Sequence, residues 1–220
     1  IGERSWGKDV LLPPGWMKRF PKVGMRPIAR ALRRFWSRRP DARRGLVATY
    51  PHYRHLMDLS RPDATLYYNI DDYALYWPGW VEPLRRLEHD LIERSTATVC
   101  VALAQAEAFR REVPSAASRI HHIPHGTPSA FLAREPLHRP GPAPSDVAAL
   151  PRPLLGYIGS LEDRLDWPLL EQVDLAFPKA SIVIVGRPPG PGDEPWRVTC
   201  RRGVDLPNVH VMGWRPQDEL

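Results

Sequence analysis

The chain has 220 residues, 43% hydrophobic and 25% charged, with a formal net charge of +6. That length admits one large domain or two small ones, and that balance excludes a disordered chain. No run approaches the ~20 consecutive apolar residues that cross a bilayer, and Cys100 and Cys200, far apart and without CxxC partners, exclude a disulfide framework or a cysteine zinc site.

Two unpaired thiols suit a reducing cytoplasm. The opening IGERSWGKDVLLPPGW lacks the charged-then-apolar order of a signal peptide. It also lacks a methionine, so Ile1 is not expected to be the start of the gene product. Charge is unevenly placed: residues 1–45 carry 13 Lys/Arg against three Asp/Glu, and the remainder is net acidic. An anionic partner is therefore expected to meet the N-terminal segment.

Val23 to Arg39 reads as a basic amphipathic helix, with Ile28, Leu32, Phe35 and Trp36 at helical spacing and Arg30, Arg33, Arg34 and Arg38 on the other faces. Such a stripe either packs on its own domain, leaving the arginines solvated, or lies in the headgroup layer of an anionic membrane. GLVATY (45–50) and TLYYNI (65–70) read as strands. Glu82 to Arg94 reads as a helix with Leu84, Leu87, Leu91 and Ile92 on one face. ATVCVA (97–102) is a strand, Leu103 to Glu112 a helix, and IHHIP (120–124) a short strand.

Eight prolines then fall in residues 124–153, a density that continues neither a helix nor a central strand. We read a linker over 125–153 between domains at 1–124 and 154–220. The second domain restarts the alternation: LLGYIGS (154–160) as strand and turn, Trp167 to Phe177 as helix, then strands at ASIVIVG (180–186) and NVHVMGW (208–214). The pattern predicts an α/β protein of two Rossmann-like domains, with parallel sheets covered on both faces, facing each other across a cleft. Three strands are few for a doubly wound sheet, so the second domain is expected to be incomplete.

Ligands of open parallel sheets bind beyond the carboxyl ends of the strands, which directs attention to four loops. In the first, Asp71 and Asp72 are candidate catalytic carboxylates, as a general base or to orient a sugar hydroxyl; alternatively Asp71 caps the following helix and Asp72 is a solvated turn residue. In the second, His125 and Gly126 are hinge or cleft candidates. His121 and His122 lie in a strand where one is expected to face the core, and no Cys, Asp or Glu stands nearby to complete a zinc site with them, so no metal is assigned. In the third, Gly159 and Ser160 follow a strand with Arg164 close by, a setting in which backbone N–H groups and a cation can hold a phosphate. In the fourth, Gly186 and Arg187 repeat that arrangement. The full dinucleotide fingerprint is missing, which disfavours a nicotinamide enzyme.

Taken in order, YYNIDDY (67–73), LEHDLIERSTATVCVALAQAEAF (87–109) and IHHIPHGTPSAF (120–131) resemble the end of the N-terminal domain of GT-B glycosyltransferases, in the bacterial glycosyltransferase 1/4-like group. LLGYIGSLEDRLDWPLLEQV (154–173), SIVIVGRP (181–188) and LPNVHVMGW (206–214) are similar to the start of its C-terminal domain. His125 departs from the Asn usual at the hinge, and Thr127-Pro128 from Val-Asp. The resemblance implies transfer of a sugar from a nucleoside-diphosphate sugar to an acceptor hydroxyl, without a metal or other cofactor. Gly159, Ser160, Arg164, Gly186 and Arg187 would face the donor. Asp71 or Asp72 would face a glycan or lipid-linked acceptor and act as base if the enzyme inverts. By the same resemblance, a first strand of the N-terminal domain is expected upstream of Ile1 and further donor-binding parts beyond Leu220, so both domains are expected to be incomplete and the piece by itself inactive. Location in the cytoplasm, at the inner face of the membrane through residues 23–39, would suit cell-surface polysaccharide or glycolipid synthesis. A sugar-nucleotide epimerase of the same fold is the rival enzyme. A basic nucleic-acid binder is the rival from another class, but no nucleic-acid module or stacking platform is present and no nucleic acid is assigned as partner.

Overall fold

The computed structural model describes residues 7, 9–12, 15–127, 144–163, 165–188 and 190–216. The chain divides into two compact units, Ile1–Leu132 and Ala133–Leu220, each built on its own parallel sheet.

In the first unit the strands are β1 (Gly45–Ala48), β2 (Ala64–Asn69), β3 (Ala97–Cys100) and β4 (Ile120–His122), ordered β1-β2-β3-β4. The helices are α1 (Trp16–Arg19), α2 (Pro21–Gly24), α3 (Arg26–Trp36), α4 (Arg54–Ser60), α5 (Val81–Arg94) and α6 (Leu103–Glu112). Register places Ala48 opposite Tyr67, Tyr67 opposite Thr98 and Thr98 opposite Ile120, so these four residues share one face of the sheet. That face is buried against Leu91 and Ile92 of α5 and Ala106 and Phe109 of α6.

The opposite face of this sheet is not covered as the sequence pattern predicts: Val47 is 60% exposed and Leu66, Tyr68 and Val99 are half-buried. The reason is topological. Strands laid down in sequence order with crossovers of a single hand carry every helix to the same side. The histidine expectation also fails, since His121 and His122 are both exposed. β4 is an edge strand only three residues long, and its second and third side chains lie beyond the helical cover.

The basic helix forms as α3 but uses its apolar side within the unit. Met25 and Ala29 are fully buried and, with half-buried Ile28 and Leu32, pack on Leu46 of β1 and Leu56 of α4. Phe35 stays 45% exposed, and Arg26, Arg30, Arg33 and Arg34 face outward.

The second unit holds β5 (Leu154–Ile158), β6 (Ser181–Val185) and β7 (Val209–Gly213) in that order, with α7 (Ser145–Ala148), α8 (Trp167–Ala176) and α9 (Pro195–Val204). Ile182, Ile184 and Val209 pack under Leu161, Trp167 and Cys200. α8 and α9 approach closely because Gly203 has no side chain: a Cβ there would lie 2.3 Å from the Trp167 ring. α7 falls inside the stretch read as linker. Cys100 and Cys200 are both buried and unpaired with each other, and burial pushes the Cys100 thiol up to about 12. No helix among the described residues is long and apolar enough to cross a membrane.

Candidate functional site

In the second unit the carboxyl ends of all three strands converge. The ladder runs past the strands: Gly159 N–H donates to the Val185 carbonyl at 3.0 Å, and Gly186 N–H donates to the Gly213 carbonyl at 2.9 Å. These two amides are therefore committed to the sheet and are not the phosphate donors that the glycine turns suggest in sequence. What Gly186 supplies is room, because a Cβ there would sit 1.9 Å from the Gly159 carbonyl oxygen. The two turns can lie side by side only with glycine at 186. Together they floor a cavity of about 370 Å³ that Ser160, Arg187, Trp214 and Arg215 also line.

The walls of that cavity are cationic and aromatic. The Arg187 guanidinium lies 5.6 Å from the centre of the Trp214 ring, within cation–π range. Arg215 pairs with Asp146 of α7. Trp214 is 61% exposed, its indole presented at the rim. It follows Gly213, whose φ of 75° turns the chain sharply out of β7. An apolar cavity of about 460 Å³ adjoins the first, sharing Ile158, Val185 and Arg215 with it and adding Val147 and Met212. Of the donor-side residues named from sequence, the structure brings Gly159, Ser160, Gly186 and Arg187 together, and Arg164 lies outside the described residues. Trp214 and Arg215 were not named from sequence, because NVHVMGW reads as a strand to its last residue. The signal was present in an aromatic–basic pair directly after a glycine that ends an apolar run.

In the first unit a second cavity, of about 380 Å³, opens after β2 and is lined by Tyr50, Ile70, Asp71, Tyr73, Tyr76 and Trp77. The two aspartates part company here. Asp71 faces the cavity; one carboxylate oxygen accepts from the Tyr76 hydroxyl and the other from the Asp72 N–H at 2.9 Å. Asp72 turns away to accept from the Ala74 N–H at 3.2 Å, capping the turn Tyr73–Tyr76, and does not line the cavity. The cap is thus Asp72, and Asp71 is the exposed carboxylate.

Beneath this loop lies a buried polar cluster that sequence reading missed. Glu88 of α5 is 2% exposed and accepts from the Tyr67 hydroxyl and from Asn69 Nδ2 at 3.2 Å. Asn69 Nδ2 also donates to the Asp71 carbonyl at 2.9 Å, so the cluster grips the loop by its backbone. Burial, opposed by the Tyr67 and Asn69 hydrogen bonds and reinforced by the Asp72 charge, pushes the Glu88 carboxyl up to about 7. Burial and the negative charges of Asp71 and Glu88 push Tyr73 up to about 12, and its hydroxyl donates to the Thr49 carbonyl.

His125 and Gly126 are exposed in the segment after β4 and line neither cavity. Among the described residues no three His, Cys, Asp or Glu side chains gather as a metal site. A larger cavity, about 760 Å³, touches Arg33, Arg43 and Arg44 beside the start of β1. It opens away from the strands' carboxyl ends, and Arg44 is held there by Asp63 at 2.7 Å.

No protein-family model and no curated protein matches the sequence. Solved structures do. HepE of Anabaena, in complex with UDP and glucose, superposes on 92% of this chain with a TM-score of 0.62 at 14% identity. HepE in complex with UDP-glucose gives 0.61 over 86% at 15% identity. A UDP-forming α,α-trehalose-phosphate synthase of Burkholderia xenovorans gives 0.53 over 91% at 12% identity. The alignments take in 54%, 52% and 53% of those chains, so this chain spans about half their length. At such identities the likeness shows the fold, and the fold is of the GT-B kind that the ordered sequence segments resemble.

Proposed function

We propose that the chain is part of a glycosyltransferase that moves a sugar from a nucleoside-diphosphate sugar to an acceptor hydroxyl. The observation that carries this reading is the cavity at the ends of β5, β6 and β7, where two apposed glycine turns bring a guanidinium and an exposed indole to one rim. Structures of the same fold hold UDP and UDP-glucose, which supports a nucleotide-sugar donor for this chain.

In the transfer, the bond from the anomeric carbon to the diphosphate breaks and the nucleoside diphosphate leaves with the electron pair. Arg187, at the rim of the cavity, is positioned to meet that developing charge. The acceptor oxygen forms the new bond and loses its proton. Asp71, exposed and held by two hydrogen bonds, is the residue of the first unit suited to take the proton or to align the hydroxyl. The arginine-rich outer side of α3 suits approach to an anionic membrane surface, consistent with a saccharide or glycolipid made at the cytoplasmic face.

The test is release of nucleoside diphosphate from nucleotide sugars by the whole protein, with and without saccharide acceptors. Acceptor-dependent release supports transfer. An altered nucleotide sugar formed without any acceptor identifies an epimerase instead.

A further inference from the structure

The cavity of the first unit combines two kinds of surface. Its aromatic lining comes from Tyr50, Tyr73, Tyr76 and Trp77, with Tyr76 50% exposed. The wall behind them is fixed: Tyr50 meets Tyr73 edge-on at 4.7 Å between ring centres and stacks on His52 at 5.2 Å, and His52 stacks on Trp80 at 5.5 Å. Set among these rings is one carboxylate, Asp71. Each oxygen already holds one donor, which fixes its direction, yet a carboxylate offers about four acceptor positions.

A ligand complementary to this surface has a flat apolar face and a hydroxyl-bearing rim. A pyranose ring has both: axial C–H groups that lie on an aromatic face, and equatorial hydroxyls that donate to a carboxylate. An aliphatic chain would cover the rings but strip water from Asp71 without replacing it. A nucleotide would set its phosphates against the same negative charge. The volume, about 380 Å³, is that of a small-ligand site.

We infer that this cavity is a saccharide subsite in which a pyranose stacks on Tyr76 and Trp77 and donates a hydroxyl to Asp71. Resting on the transferase reading above, this makes the acceptor a sugar ring, not a lipid tail or a nucleotide.

The experiment is saturation-transfer NMR and titration of the whole protein with the methyl pyranosides of glucose, galactose, mannose, rhamnose and N-acetylglucosamine. The expected result is millimolar binding of at least one glycoside, weakened fivefold or more by Tyr76→Ala and by Asp71→Asn. Tyr76→Phe, which keeps the ring, retains most of the affinity, and circular dichroism checks that each variant is folded. No binding across the panel, or binding indifferent to both Tyr76→Ala and Asp71→Asn, overturns the inference, as does binding of octanol in preference to every glycoside. A parallel titration with UDP and GDP separates this claim from the one it rests on. Nucleotide binding without glycoside binding removes only the subsite; glycoside binding without nucleotide binding keeps the subsite and removes the transferase.

Discussion

Glu88 occupies a position in α5 where the helical stripe would take a leucine, between buried Leu84 and the buried pair Leu91 and Ile92. Sequence pattern assigns that stripe to Leu84, Leu87, Leu91 and Ile92. The structure puts Glu88 inward and leaves Leu87 half-buried. Only the neighbouring strand explains this, because Tyr67 and Asn69 present a hydroxyl and an amide to that spot, a pairing invisible along the chain. The consequence is a pH dependence of known sign. Raised to about 7 in the fold, against ~4.3 in an unfolded chain, Glu88 binds its proton more tightly when folded. Its contribution to stability is therefore complete below pH ~4 and lost as pH rises through 7, at about 1.4 kcal/mol per pH unit and on the order of 3 kcal/mol in all. Asp63, held low by hydrogen bonds from Arg44, acts with the opposite sign and only in acid, outside this window. Burial lowers His55, which adds stability as pH rises to ~6.5, so the Glu88 contribution is read from the difference in melts. Glu88→Gln, which keeps the acceptor for Tyr67 and Asn69, should shift the pH slope between 5.5 and 8 upward relative to the parent. An unchanged slope in the variant would show that Glu88 does not carry the proton.

At the scale of elements, every strand named from sequence is present, because runs such as TLYYNI and SIVIVG are both apolar and suited to a pleated surface. Two crossover helices escaped the same reading. α4 is only seven residues long, and α9, PWRVTCRRGV, mixes β-branched and basic residues so that no stripe stands out. Pro195 at the first turn of α9 was its one legible start signal. α3 was found, but its fate was not legible: an apolar stripe reads alike whether it meets a core or a bilayer. With Met25 and Ala29 buried in the unit, the proposed approach to a membrane would have to use the arginines and exposed Phe35. Binding to anionic vesicles should then be electrostatic. Arg30→Gln with Arg34→Gln should weaken flotation about thirtyfold, at roughly 1 kcal/mol per charge, without lowering the melting temperature. Met25→Ala, which opens a core cavity, should instead destabilise by about 2–5 kcal/mol. Absence of flotation at low salt, or flotation that persists in high salt, contradicts this account of α3.

At the scale of the whole molecule, the order of segments was the most informative property of the sequence. No single loop was decisive, yet strands, helices and glycine turns in that order matched a fold that the superpositions then showed. The cavity beyond β5, β6 and β7 was partly legible, since Gly159, Ser160, Gly186 and Arg187 all lie directly after strands, where parallel sheets place their ligands. Its aromatic rim was not, and neither was the use of the glycine amides in the ladder, which depends on how three strand ends pack. Asp71 and Asp72 were legible as a pair of carboxylates, but the cap expected at Asp71 falls on Asp72, as the bonds of Asp71 to Tyr76 and of Asp72 to Ala74 show. The central claim is that the cavity beyond β5, β6 and β7 holds a nucleoside diphosphate through Arg187. It is tested most directly by calorimetric titration of UDP, GDP and ADP into the protein and its Arg187→Ala variant. Saturable binding of one nucleotide, weakened by about tenfold or more in the variant as expected for a lost charged hydrogen bond, is the predicted result. Binding of none of the three, or equal binding by both proteins, contradicts it.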